Sequence, residues 1–346
     1  MAGTLEFGLD TFGDVTAGND GALLSQAQVV RNLIDEAVLA DELGVDFIGV
    51  GEHHRADFAV SAPEVVLAAM AARTRRIRLG SAVTVLSSDD PIRVFQRFST
   101  VDAISRGRAE VILGRGSFTE SFPLFGYDLG DYEKLFDDKL ELFAAIASQE
   151  VVDWNGGWRP ALKNQRIFPP IEHGRLKTWI GVGGSPESVV RAAHYGMNLM
   201  LAVIGGSPAR FKPFADYFRQ ACEQLKRPAL DVGIHSPGFV CESDADVKTM
   251  LYPHFKRGRD RIGAERGWPP VTERDFEQEI AHGSLYAGSP DTVAKKIAAT
   301  VRTLGVSRFQ MKYSAGPLPH ELLMNSIRLY ATEVIPRVRA LLAADS

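Results

Sequence analysis

The chain has 346 residues, 45% of them apolar and 24% charged, a balance that supports a sizeable folded core, and its formal net charge is −4. There is no basic footprint for nucleic acid or an anionic membrane surface, and the longest apolar runs, such as 65–72, stop well short of the roughly 20 residues a spanning helix needs. Two cysteines, Cys222 and Cys241, are too few for a disulfide framework, and the first six residues lack the basic and apolar regions of a signal peptide, so a reducing cytoplasm is the expected compartment.

In chain order, 5–12 reads as a first strand. An amphipathic helix follows at 25–43, with Val30, Leu33, Ile34, Ala37 and Val38 at helical spacing and Gly44 as its stop. The apolar run 45–50 is a buried strand that passes at once into Gly51-Glu52-His53-His54. The alternation continues with helices at 63–74, 91–105, 131–148, 185–195 and 207–225 and strands at 77–86, 109–113, 178–182, 198–204 and 232–241. Helices at 244–257 and 289–304, a strand at 308–313 and a helix at 319–343 complete it. Eight strands joined by helices imply an α/β fold, a (β/α)8 TIM barrel forming a single domain over 1–346, with a doubly wound open sheet as the alternative. Two stretches break the rhythm. The region 150–177, with Trp154-Asn155-Gly156-Gly157-Trp158 and Pro169-Pro170, reads as a hairpin excursion; 258–288 reads as a charged insertion, either a lid over the C-terminal face or a surface elaboration or dimer contact.

Three strand ends carry chemistry. At the first, adjacent histidines on extended chain point to opposite sides, so His53 and His54 do not share one metal. The other histidines are scattered, neither H-E-x-x-H nor paired C-x-x-C occurs, and no metal site is expected. At the second, Val111 to Leu113 runs into Gly114-Arg115-Gly116-Ser117, where glycines let backbone N–H groups approach an anion and Arg115 adds a fork of donors. At the third, Gly181-Val182-Gly183-Gly184 meets a helix capped by Ser185 with Pro186 at its first position, and Ser185 and Ser188 offer hydroxyls beside the free N–H groups. The third glycine of a dinucleotide fingerprint is missing at Pro186, so one phosphate group shared by both glycine-rich ends is the expected ligand.

The ordered series Glu52-His53-His54, Leu79 to Leu86 with Asp90-Pro91-Ile92-Arg93, Ser105-Arg106-Gly107-Arg108 and Gly114-Arg115-Gly116 with Phe125-Gly126 resembles the bacterial-luciferase-like flavin monooxygenases. The resemblance returns at 181–196 and 288–305 and leaves out both irregular stretches. It implies a barrel that binds reduced FMN, delivered by a separate flavin reductase, and reacts it with O2 through a C4a-(hydro)peroxyflavin to oxygenate a small organic substrate. By the same resemblance His53 is the catalytic histidine, Arg115 binds phosphate with Gly116 and Ser117 beside it, and Gly183, Gly184, Ser185 and Ser188 form the second part of the phosphate site. Ala82-Val83 matches a cis peptide that packs against the flavin, and a homodimer is implied. Glu52, His54 and Phe12 are taken as supporting or substrate-side residues, and Trp154 and Trp158 are candidates for the same space with core packing the plainer account.

Two departures stand out. Light-emitting members carry a reactive cysteine where this chain has Gly114, and a family arginine near the phosphate aligns with Glu133 or Lys134. Light emission is therefore not implied. His53 is expected to stabilise or protonate the peroxide as a group titrating near neutrality. Three alternatives remain in view: an F420-dependent hydride-transfer enzyme on the same barrel, a non-catalytic flavin-binding subunit, and a metal-dependent barrel hydrolase.

Overall fold

The computed structural model describes residues 5–116 and 118–344. Eight parallel strands close on themselves: β1 (Glu6–Thr11), β2 (Phe47–Val50), β3 (Arg78–Ser81), β4 (Ala109–Gly114), β5 (Lys177–Val182), β6 (Asn198–Ala202), β7 (Val232–Val240) and β8 (Arg308–Lys312). Each pairs with the next, and β8 returns to β1 with Glu6 opposite Arg308 and Asp10 opposite Lys312. The open sheet is excluded. Helices pack outside, and the interface between them and the strands forms one continuous apolar core.

The barrel interior is filled in layers. At the N-terminal end Arg308, fully buried, lies between the Phe47 and Trp179 rings, 4.6 and 4.5 Å from their centroids, and pairs with Glu110 at 2.8 Å. The Trp179 indole N–H donates to the same Glu110 oxygen, Oε2, at 2.7 Å. Burial alone raises a carboxylic acid, but Arg308, Arg78 and Lys177 outweigh it and hold Glu110 down to about 2. Above this plug, Phe47, Ile112, Trp179 and Met200 pack with Val83 beneath the C-terminal opening.

Local signals explain most helix starts. Ser185, Asp90 and Ser289 each cap a helix whose first residue is proline, and each side chain accepts a backbone N–H of the first turn. The first helix, Gln26–Glu42, buries Val29, Leu33, Ala37 and Ala40, one position round from the expected stripe. The shift has a polar cause: Glu36 is buried on the same face, where it accepts the Tyr313 hydroxyl at 2.5 Å.

Three other expectations needed revision. The strand expected over 77–86 is broken: after Ser81 the cis peptide Ala82-Val83 leaves the ladder, and Thr84–Val85 pairs with Leu113 and Gly114 alone. The last helix is not continuous, because His320–Leu329 passes into a π-turn, Tyr330–Val334, before Ile335–Ala343; Pro336 has no N–H to continue an α-helical ladder. The expected 258–288 insertion has no separate start. Helix Tyr252–Arg266 runs straight into it, Glu273–Ala281 follows, and strand Tyr286–Gly288 pairs with the far end of β7. The hairpin at 150–177 is present as Val152–Trp154 paired antiparallel with Leu162–Gln165.

Candidate active site

The C-terminal ends of the barrel strands surround a cavity of about 610 Å³, closed over by residues 255–268 of the helix and turn that follow β7. This is the end of such a barrel where loops supply chemistry.

Gly51 to His54 leave β2 at this rim. A Cβ on Gly51 would sit 2.2 Å from the Phe12 ring, so the glycine is what allows Phe12 to lie across the strand end. The His53 ring stacks on Phe12 at 4.6 Å, with Phe58 and Phe118 centred 4.4 and 4.7 Å away. Burial in this aromatic cage pushes the imidazole down to about 3. His53 is therefore neutral across the working range, and the expectation of a group titrating near neutrality is corrected: Asp14 favours the charged ring but is outweighed by desolvation and by Lys312 and Arg55 nearby. His54 turns the other way, edge-on to Phe125 at 5.1 Å, and does not line the cavity.

Glu52 does line it. It is 8% exposed, its Oε1 accepts the Val85 N–H at 3.2 Å, and burial, with Glu64 and Asp89 nearby, pushes it up to about 8. At neutral pH this carboxyl keeps its proton and presents an O–H donor.

A further pair was not singled out from the sequence. Asp10 on β1 is fully buried, and its Oδ2 lies 2.7 Å from His235 Nδ1 on β7, whose ring lines the cavity. Phe12 stands between the two imidazoles, 6.1 Å from His235. Asp10 Oδ1 and both amide atoms of the buried, cavity-lining Gln310 have no hydrogen-bond partner, so the floor presents polar groups that remain to be satisfied. The available sequence signal was period two: Gly8 and Asp10 share one side of β1, and in register Gly8 faces Gln310, itself opposite His235.

The opposite wall is apolar, made by Ala82, Val83, Ile112 and Met200. Gly114 is required there, since a Cβ would lie 2.7 Å from Val83 Cγ2. That wall leads to the expected phosphate residues. Arg115 and Gly183 line the cavity, with Gly116 at φ 80° beside Val85 and Gly184 at φ 129°. Ser185 and Ser188 stand just past this rim at the start of helix Pro186–Tyr195, their hydroxyls 3.4 Å apart. Ser117 lies outside the described residues. Arg115 is engaged by Glu133, and Ser185 Oγ donates to Glu187 Oε2 at 2.7 Å, so carboxylates of the chain itself now occupy the donors that an incoming anion would use. Trp154 is buried in the outer core and Trp158 borders a separate surface cleft, so neither reaches the cavity. Among the described residues no group of three or more His, Cys, Asp and Glu side chains converges as a metal site, and no helix is long and apolar enough to cross a membrane.

The lining is compatible with a flavin-like ligand. The apolar wall suits a ring system, the unsatisfied floor suits its heteroatoms, and the backbone at Gly183–Gly184 leaves space for an anion, with nothing nearer than 3.9 Å to a Cβ placed on either glycine.

Comparison with known proteins agrees with this geometry. A family profile for luciferase-like monooxygenase matches residues 11–308. The 4-hydroxyprotoasukamycin monooxygenase of Streptomyces nodosus subsp. asukaensis is 32% identical over 317 residues, covering 86% of this chain and 84% of that protein. Among solved structures, the oxygenating constituent of 3,6-diketocamphane monooxygenase from Pseudomonas putida, in complex with FMN, superposes with a TM-score of 0.76 at 19% identity, covering 97% of this chain and 99% of that one. An F420-dependent secondary alcohol dehydrogenase has the same fold, with a TM-score of 0.74 at 16% identity and the same coverage. The profile match over most of the barrel places this chain in the luciferase-like monooxygenase family.

Proposed function

We propose that the protein is the oxygenase of a two-component system, taking reduced FMN from a separate flavin reductase and using O2 to oxygenate a small organic molecule, as a homodimer. The observation that carries this reading is a single cavity combining the apolar Ala82-Val83 wall, the Arg115 and Gly183–Ser185 anion rim and a caged, neutral His53. The P. putida relative, by its description an oxygenating constituent and an FMN complex, supports the same reading. Reduced FMN, when bound, supplies the electrons and the activation of O2.

The chain's own residues do the rest. Arg115 and the serine-capped helix start hold the phosphate once Glu133 and Glu187 swing away. His53, neutral and with one N–H, donates a hydrogen bond to developing negative charge on oxygen without itself being an acid. Glu52 carries the exchangeable proton at its carboxyl, and Asp10, 2.7 Å from His235 Nδ1, fixes the orientation of that ring in the cavity wall. The aromatic cage of Phe12, Phe58 and Phe118 keeps water from this region.

Anaerobic titration with reduced FMN and reduced F420, followed by rapid mixing with O2 while absorbance is recorded, tests the proposal. Saturable FMN binding with oxygen-dependent reoxidation distinct from free flavin is the expected result. Binding of F420 alone, inert to O2, overturns it in favour of hydride transfer.

A further inference from the structure

The cavity has two unlike halves. Strands β4 and β6 and the turn after β3 supply an apolar half, with Ile112, Met200, Ala82 and Val83. Strands β7 and β8 and the turn after β1 supply a polar half, with His235, Gln310, Lys312 and Asp14. The halves meet at two glycines. A Cβ on Gly49 would lie 2.8 Å from Ala82 Cβ and 3.2 Å from Asp10 Cβ, and one on Gly8 would lie 3.1 Å from both Gln310 Cγ and Phe47 Cδ1. Phe47 itself belongs to the cluster packed beneath Val83. The polar floor therefore begins where the apolar wall ends, because Gly8 and Gly49 put no side chain between them.

Most polar side chains of this floor are already paired. His235 meets Asp10 at 2.7 Å, Lys312 reaches Asp14 at 3.1 Å, and the Ser314 hydroxyl donates to Asp14 at 2.5 Å. Gln310 is the exception. It is fully buried on β8, and neither its amide nitrogen nor its amide oxygen has a hydrogen-bond partner in the chain. Among the described residues it is the one buried side chain orphaned at both a donor and an acceptor, and the one residue lining the cavity that carries such an atom. Core packing does not account for it, since methionine fills nearly the same volume without burying two unpaired polar atoms.

A carboxamide is matched by a particular ligand feature. The planar C=O and N–H edge of an amide or imide takes both of its atoms at once, in two parallel hydrogen bonds. In an imide the N–H stands between two carbonyls, so either orientation of the Gln310 amide finds a donor beside an acceptor. The pyrimidine ring of a flavin carries this edge at N3. Arg115 and Gly183 follow β4 and β5, across the barrel from β8, so the anion rim and the floor serve different ends of one ligand.

We propose that Gln310 is the residue that reads the flavin ring, pairing through its carboxamide with the imide edge of the pyrimidine. This rests on the reading of the cavity as a flavin site. The ligand-free chain carries the orphaned amide as a destabilising group that binding relieves, so the residue that strengthens binding is the one that weakens the free protein.

The test is anaerobic calorimetric titration of the full chain with reduced FMN and with reduced N3-methyl-FMN, which lacks the imide N–H, alongside thermal unfolding of the ligand-free protein. The wild type is expected to bind FMN about tenfold more tightly than the N3-methyl analogue, the scale of one buried hydrogen bond lost. Gln310→Met keeps the length of the side chain and removes both polar atoms. In this variant FMN binds about tenfold more weakly, the preference over the analogue falls to near unity, and the ligand-free protein melts at a higher temperature than wild type. Equal affinity of the wild type for the two flavins overturns the proposal and needs no variant to do so. Wild-type FMN affinity in Gln310→Met also overturns it and assigns the amide to the substrate or to water, and a lower melting temperature overturns it because Gln310 is then satisfied within the folded chain. F420 carries the same imide edge and separates this inference from the monooxygenase reading. Binding of F420 alone, weakened about tenfold in Gln310→Met, keeps the role of Gln310 and removes that reading; FMN binding indifferent to N3 does the reverse, and a protein that binds neither cofactor removes both.

Discussion

Replacing Glu52 with glutamine probes the electrostatics of the cavity directly. The Glu52 carboxyl is buried, accepts the Val85 N–H and faces Glu64 and Asp89, which together with desolvation raise it from 4.5 to about 8. A carboxyl that holds its proton more tightly in the folded chain contributes stability that is complete below the unfolded value and is lost as pH rises through the folded one. From those two values the loss is roughly 1 kcal/mol at pH 5 and roughly 5 kcal/mol at pH 9. Glutamine has the shape of the protonated acid, keeps the acceptor for Val85 and does not ionise. The stability of Glu52→Gln relative to wild type therefore grows by about 4 kcal/mol between pH 5 and pH 9. Urea unfolding followed by circular dichroism at matched pH measures this, since all other titrating groups cancel in the difference. A difference that stays constant within about 1 kcal/mol across the range would show that Glu52 ionises normally, and its role as the proton-bearing group of the cavity would fall.

Three further outcomes follow from the same geometry. His53→Ala is expected to lose product formation while FMN affinity changes little, and the wild-type rate should show no inflection near pH 6.5 from this residue, because burial keeps its imidazole neutral down to about 3; unchanged coupled turnover would remove His53 from the chemistry. Asp10→Asn removes the carboxylate charge 2.7 Å from His235 Nδ1; kcat should fall by about 10²-fold with KM and melting temperature nearly unchanged, and a rise in KM alone would mean the pair only shapes the floor. Gly114→Ala places a methyl group 2.7 Å from Val83 Cγ2; a destabilisation of about 1–3 kcal/mol with weaker FMN binding is expected by thermal unfolding and fluorescence titration, and a variant with wild-type stability and affinity would show that this wall yields freely.

Much of the barrel was written locally in the sequence. Strand and helix alternate with clear stops, the strands lie where the apolar β-rich runs placed them to within a residue or two at their ends except for the third, which stops at Ser81 rather than reaching Leu86, and serine or aspartate followed by proline marked helix starts at Ser185, Asp90 and Ser289. The separation of His53 from His54 was legible for the same reason, since adjacent side chains leave an extended chain on opposite sides. So were the glycine turns beside Arg115 and at Gly183–Gly184 and the helix cap at Ser185, because glycine and helix-cap patterns depend on near neighbours.

What the tertiary structure decided is where distant chain meets. Asp10 and His235 are 225 residues apart and become a pair only because β8 closes the ring between β7 and β1. The break at Ala82-Val83, the engagement of Arg115 by Glu133 and the orphaned amide of Gln310 on the cavity floor likewise depend on which elements stack at one end of the barrel. Protonation belongs to this second group. His53 and Glu52 are near neighbours at one strand end, yet one is driven far below its ordinary value and the other far above. Both shifts come from desolvation of the charged form, a quantity set by everything packed around a group and by nothing in its own sequence neighbourhood.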